Sequence, residues 1–222
     1  MYTDAKLVKR VASLGAGPIG GGWTAHFLAR GYDVTAYLHD KSETSSFMSI
    51  LETAWVSLVD LGLSPSASMD RLRIVTDLEE ALEGAEFVQE SGPERLKIKK
   101  ELYKKMGKIL PPSVVIGSST SGLMMSDIQS DCSTPERTVI GHPFNPPYLL
   151  PLVEIVGGKK TAPEAVAWAG EFYNAAGKAP LMMKKEIPGF VATRLQEALW
   201  RCLLYTSPSP RDRTRSRMPS SA

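Results

Sequence analysis

His142 and Glu154 are the residues of this chain best suited by type and placement to move a proton. His142 stands in Gly141-His142-Pro143-Phe144-Asn145-Pro146-Pro147, directly after a short apolar run, and Glu154 lies inside the next one, Leu152-Val153-Glu154-Ile155. A histidine at the carboxyl end of a strand in an open α/β sheet sits where such folds gather their ligands, and it can take a proton from a hydroxyl. A glutamate on a nearby strand can accept the other ring N–H, fix the tautomer and stabilise the imidazolium. Read singly, His142 is a packed loop histidine and Glu154 a charge on an edge strand. Read together, they point to acid–base catalysis.

A second constellation lies near the start. Gly15-Ala16-Gly17-Pro18-Ile19-Gly20 fits the GxGxxG pattern directly after the apolar run Val11-Ala12-Ser13-Leu14. In that pattern the first glycine permits a tight turn, the second lets the backbone approach a pyrophosphate, and the third lets helix pack on strand. A helix starting there would offer unpaired N–H groups and its positive dipole end to phosphates. An acid about 20 residues on usually takes the ribose hydroxyls and favours NAD over NADP. Here Leu38 occupies the expected position and Asp40 follows two residues later, so either Asp40 reaches back or the acid is missing. His39 and Lys41 could tolerate a 2′-phosphate. The reading favours NAD without excluding NADP.

These groups need a frame, and the chain supplies the pattern of one. Short β-branched or apolar runs at 11–14, 34–38, 72–75, 87–89, 114–116, 139–141, 152–156 and 181–183 alternate with longer amphipathic stretches at 19–30, 43–61, 94–110 and 163–176. That alternation predicts an α/β fold, a parallel sheet wrapped by helices. In the stretch after Glu94, Ile98, Leu102, Met106 and Ile109 recur at helical spacing and predict the buried face, while Lys97, Lys100, Lys104 and Lys105 read as a solvated one. Pro188 is suited to the first turn of a further helix, with Phe190, Leu195, Ala198 and Leu199 as its apolar residues.

The 222 residues are 43% hydrophobic and 23% charged, ordinary for a globular chain with one full domain and part of another. No run is long and apolar enough for a membrane span, and the polar start lacks the core of a secretory signal, so the expected compartment is the cytoplasm. Two cysteines and three histidines without ligand spacing give no reason to expect a metal. Residues 202–222 change character abruptly, resemble translated adapter sequence, and are read as a non-native tail. That tail carries Arg211, Arg213, Arg215 and Arg217 against Asp212, so the net charge of +2 comes from it and implies no nucleic-acid partner.

Three segments together resemble the 3-hydroxyacyl-CoA dehydrogenase superfamily: SSTSGLM at 118–124, GHPFNPPYLLPLVEIVGG at 141–158 and IPGFVATRL at 187–195. The resemblance implies a Rossmann-type NAD-binding domain over residues 1–187 and, over 188–201, the first helix of an all-α C-terminal domain through which the full-length family members form homodimers. It also implies that His142 is the general base, that Glu154 orients it, and that Ser121 bonds the substrate oxygen. Cofactor contacts carry onto Glu94, Lys99, Ser121 and Asn145, in addition to the glycine turn.

Two features set this chain apart from acyl-CoA enzymes. Thr193 stands where they usually have an asparagine, and residues 42–68 contain no lysine or arginine but do contain Glu43, Glu52 and Asp60, a poor field for a CoA diphosphate. The segments AWVSLVDLGLSP, TAPEA and EALWR, with the motif around His142, resemble instead the carnitine dehydrogenase branch. A trimethylammonium substrate would want aromatic faces, and Phe144, Tyr148 and the missing domain are the expected sources. Trp55 and Trp200 are expected to be packing residues. A gulonate-oxidising branch and a non-catalytic dinucleotide-binding protein are the rival readings.

Overall fold

Parallel strands buried on both faces read as continuous apolar runs, which is the pattern found here. The computed structural model describes residues 2–205. Its strands are β1 (Arg10–Leu14), β2 (Asp33–Tyr37), β3 (Leu72–Val75), β4 (Phe87–Glu90), β5 (Val115–Ser118), β6 (Thr138–Pro143), β7 (Leu152–Gly157) and β8 (Ala179–Met182). The helices are α1 (Pro18–Ala29), α2 (Thr44–Leu61), α3 (Leu78–Leu82), α4 (Leu96–Ile109), α5 (Met125–Ile128), α6 (Pro163–Ala175) and α7 (Ala192–Tyr205). One sheet has the order β3-β2-β1-β4-β5-β6-β7-β8. All its pairings are parallel except β6 with β7. The order reverses between β1 and β4, so the carboxyl ends of these strands border the crevice where such sheets bind ligands.

Two apolar clusters cover the sheet. One takes Trp23 and Phe27 from α1, Phe47 and Leu51 from α2, and Phe172 and Tyr173 from α6; the other takes Tyr103 and Met106 from α4 and Met125 and Ile128 from α5. Phe87 of β4 and Phe172 are 4.0 Å apart between ring centroids, and Trp168 stacks on Phe172. Fully burying each such side chain contributes about 1.5–3 kcal/mol, which makes α6 a firm support for the strands under the site.

Every predicted strand and long helix is present, with shifts of at most two residues at the ends. Three details differ. The buried residues of α4 are Lys99, Tyr103, Met106 and Gly107, so Met106 is buried as expected while Ile98 is 39% exposed. The helix is turned from its apolar stripe because Lys99 finds an ion-pair partner inside. The short α3 was not predicted, although Asp77 caps it by accepting from Glu80 N–H at 2.9 Å, an Asp-x-x-Glu start signal. Pro188 does not open α7. Gly189 and Phe190 have φ of 72° and 49°, which no α-helix allows, so the helix begins at Ala192. It then runs through Cys202 to Tyr205, past the boundary expected after Arg201; the rest of the expected tail lies outside the described residues.

Candidate active site

The turn between β1 and α1 is shaped by its glycines. Gly15 has φ 125°, and a Cβ on it would lie 2.5 Å from the Ser91 carbonyl oxygen. A Cβ on Gly20 would collide with the Gly15 carbonyl, so α1 presses on the turn only because that side chain is missing. Gly17 is different, with nothing within 4 Å of where its Cβ would be. It caps α1 with extended backbone, Pro18 follows at the first turn, and no side chain satisfies the helix end. A bare backbone beside an uncapped helix N-terminus in open space fits a dinucleotide pyrophosphate.

At the end of β2, Leu38 is fully buried in the core and its N–H bonds to Val75 O at 3.0 Å. Its place is therefore lost to any ribose contact. Asp40 stays exposed on the following turn, where its carboxylate accepts from Ser42 N–H at 2.8 Å while Glu43 accepts from the N–H groups of His39 and Asp40. The Ser42 hydrogen bonds hold the Asp40 carboxyl below the usual range. The acid of this corner is thus charged, and it is fixed by its own capping box.

The antiparallel register of β6 and β7 places His142 directly opposite Glu154. His142 Nδ1 and Glu154 Oε2 are 2.7 Å apart, with the histidine 9% exposed and the glutamate fully buried. A buried carboxylate accepts, so the proton of this bond sits on Nδ1 and Nε2 is left as a base. The other carboxylate oxygen, Oε1, accepts from Val191 N–H at 2.8 Å and Ala192 N–H at 3.0 Å, the residues that open α7. Burial alone would raise the Glu154 carboxyl, but the hydrogen bonds from His142, Ala192 and Val191 together with the imidazole charge outweigh it and hold the group below the usual glutamate range. Phe144 and Phe190 bring their ring centroids to 5.6 and 5.5 Å from the imidazole.

Ser121 lies on the loop after β5, exposed, and its hydroxyl has no hydrogen bond among the described residues. The loop is tied by Glu94, whose Oε1 accepts from Thr120 Oγ1 at 2.5 Å, Ser121 N–H at 3.0 Å and Gly122 N–H at 3.2 Å. Lys99 is buried. Its ammonium donates to Glu90 Oε1 at 2.7 Å, Glu90 Oε2 at 2.9 Å and Gly92 O at 3.3 Å, and stands 3.8 Å from Glu94. Its three donors are therefore committed within the protein, and its charge braces the segment that carries Glu94. Asn145 is exposed, three residues beyond the histidine.

A cleft of about 970 Å³ brings Ile19, Glu94, Lys99, Ser121, His142, Asn145 and Glu154 together. Gly15, Ala16, Gly17, Pro18 and Gly20 form the adjoining turn rather than this wall. Thr193 and Phe144 also line the cleft, and so does Trp200, which is 52% exposed and not the packing residue expected. Tyr148 instead packs against the cluster under α1, and Trp55 does the same.

Sequence reasoning missed three supports. Ser119 Oγ accepts from Gln89 Nε2 at 2.8 Å and Trp23 Nε1 at 3.2 Å, and Tyr173 OH donates to Gln89 Oε1 at 2.6 Å, so a buried chain of polar groups sits under the Ser121 loop. Lys178, 5% exposed, donates to the carbonyls of Pro147 and Leu150 and lies 5.1 Å over the Trp23 ring, pinning the loop that follows His142. Burial first, then the Arg30 charge, push its ammonium down to about 7. Phe190 is the third; its φ is unusual for any residue but glycine, which no sequence pattern announces.

Comparison with known proteins places this arrangement. Residues 10–187 match the model of the 3-hydroxyacyl-CoA dehydrogenase NAD-binding domain. The chain is 54% identical over 203 residues to an L-carnitine dehydrogenase of Streptomyces coelicolor, covering 91% of this chain and 64% of that protein. It is 49% identical over 198 residues to an L-carnitine dehydrogenase of Pseudomonas putida, covering 89% and 62%. The chain thus spans less than two thirds of the length of these curated relatives. Among solved structures, a 5-formyl-3-hydroxy-2-methylpyridine 4-carboxylic acid 5-dehydrogenase described as NAD+ dependent matches at TM-score 0.83 and 32% identity, covering 89% of this chain and 64% of that one. A 3-hydroxybutyryl-CoA dehydrogenase of Escherichia coli matches at TM-score 0.81 and 30% identity, covering 91% and 44%. With its glycine turn, its eight-stranded sheet and a family match over most of its length, the chain belongs to the 3-hydroxyacyl-CoA dehydrogenase family and carries that family's NAD-binding domain.

Proposed function

We propose that the whole protein oxidises the 3-hydroxyl of L-carnitine to 3-dehydrocarnitine with NAD. The observation that carries the chemistry is the His142–Glu154 pair, buried at 2.7 Å and opening on a cleft beside the glycine turn. NAD, held at Gly15, Gly17 and Gly20, supplies the hydride acceptor. His142 Nε2 takes the hydroxyl proton, and Glu154 keeps Nδ1 protonated and stabilises the imidazolium that results. The Ser121 hydroxyl, free of protein partners among the described residues, donates to the substrate oxygen as it becomes a carbonyl. Glu94 and Lys99 act from the wall as cofactor-side residues, Glu94 by holding the Ser121 loop and Lys99 through the charge it places behind Glu94. Asn145, on the loop after His142, is a further cofactor contact.

Carnitine as substrate rests on the relatives' names and on two features of the chain. Phe144 and Trp200 offer aromatic faces to a trimethylammonium group, and α2 carries no basic residue with which to hold a CoA diphosphate. Residues 1–187 form the NAD-binding domain in this reading, 188–201 begin the helical domain through which the whole enzyme is a homodimer, and 202–222 are foreign to both. The reaction is placed in the cytoplasm.

The test follows NADH formation by a protein bearing a complete second domain, with L-carnitine, L-gulonate and 3-hydroxybutyryl-CoA in parallel. L-Carnitine should give the highest kcat/KM and the CoA ester almost none. The CoA ester in first place overturns the argument from α2; gulonate in first place overturns only the choice of small acid.

A further inference from the structure

Phe190 and the two N–H groups that follow it reach the His142–Glu154 pair from outside its own strands, and all three come from one turn. Phe190 has φ 49°, although it is not glycine, and it is fully buried. Its ring centroid lies 5.5 Å from the imidazole, with the two planes 44° apart, while Phe144 approaches the same ring at 5.6 Å. The next two residues, Val191 and Ala192, give their N–H groups to Glu154 Oε1. Beneath the pair, Ile140 and Val156 face each other in register two residues away, and Phe190 belongs to their apolar cluster. Side chains two apart on a strand share a sheet face, so Phe190 covers the same face that carries His142 and Glu154.

An imidazole bonded only through Nδ1 keeps freedom to swing about that bond. Rings packed against it remove the freedom and leave Nε2, unpartnered among the described residues, for the cleft that His142 lines. A residue with a Cβ adopts a φ near +50° only at a cost. Glycine would relieve that cost, so what the position gains from phenylalanine is its ring. We propose that Phe190 is a positioning residue for His142, holding the imidazole so that the Glu154 bond stays formed and Nε2 stays aimed. The proposal rests on reading His142 as the base, but it can be tested apart from any substrate.

The test uses the 222-residue chain, nitrogen-15 labelled, and the proton on His142 Nδ1. In the parent that proton should give a resonance well downfield of the amides, protected from exchange with water and identified by its absence in His142→Asn. The ring protons of Phe190 should cross-relax with those of His142. In Phe190→Ala and Phe190→Gly the resonance should be lost to exchange, while NADH affinity stays within about twofold, because neither change touches the glycine turn. Phe190→Gly relieves the φ of 49° and is the variant to read if Phe190→Ala fails to fold. A resonance as sharp and protected in both variants as in the parent, with only a lower melting temperature, overturns the proposal and leaves Phe190 a packing residue. Absence of Phe190–His142 cross-relaxation in the parent overturns it without any variant. A parent lacking the resonance altogether counts instead against the pair, and so against the proposed function as well.

Discussion

Glu154→Gln is the change whose consequences follow most directly from the geometry. Glu154 accepts three hydrogen bonds, one on Oε2 from His142 and two on Oε1 from Val191 and Ala192. A glutamine amide has one oxygen and one NH2, so it cannot accept on both sides. If its oxygen takes the two backbone N–H groups, its NH2 faces Nδ1, the proton moves to Nε2, and the base is lost. If its oxygen faces Nδ1, the NH2 is set against two N–H donors at the start of α7. Leaving a buried polar group unpaired costs about 1–3 kcal/mol. Set against the barrier, that is a loss of roughly 5- to 150-fold in kcat. Against stability, it lowers the melting temperature by about 2–12 °C for a chain of this size.

The assay compares NADH formation by parent and Glu154→Gln in the enzyme with its complete second domain, and thermal melts of both chains across pH. Because the Glu154 carboxyl is held below its unfolded value, it contributes stability that is fully present above about pH 4.3 and is lost as pH falls through the lower folded value. The two melting curves should therefore converge in acid and separate above that range. NADH affinity should stay the same. Equal turnover by the two proteins, or a stability gap that does not close in acid, would refute the reasoning.

Other expectations are as direct. His142→Ala should lower kcat by roughly 10²–10⁴-fold and leave the NADH dissociation constant unchanged; a parallel loss of NADH affinity would mean the residue holds cofactor. Gly17→Val should abolish NADH fluorescence enhancement without unfolding the chain, since its side chain enters space that is otherwise open, whereas Gly15→Val should unfold it against the Ser91 carbonyl. Lys178 has its ammonium pushed down to about 7, below the unfolded value, so the burial cost of its charge is present below pH 7 and relieved as pH rises. The parent should therefore gain stability between about pH 7 and 10.4, and Lys178→Met should show no such rise. With α7 presenting Leu195, Leu199 and Leu203 at about 60% exposure beside the open cleft, the 222-residue chain alone should bind NADH but give no turnover with L-carnitine.

Periodicity and turn chemistry act over a few residues, and what depends on them was legible in the sequence. The strands, the long helices, the glycine turn between β1 and α1 and the strand-end placement of His142 all follow from such short-range rules. So does the segregation of lysines on α4, apart from Lys99, whose burial required Glu90 at the end of β4. Contacts between distant segments were beyond that reach. Glu154 could be set on a strand near His142, but only the antiparallel pairing of β6 with β7 against an otherwise parallel sheet puts the two residues face to face. Nothing local says that Glu94 ties the Ser121 loop, that Lys178 pins the carbonyls after His142, or that Phe190 leaves the helical region to cover the imidazole. Each depends on where a partner far along the chain comes to rest. The residue types and their local setting thus determined what chemistry the chain offers, while register and packing, which are sums over the whole fold, decided which groups hold His142 and Glu154 in place.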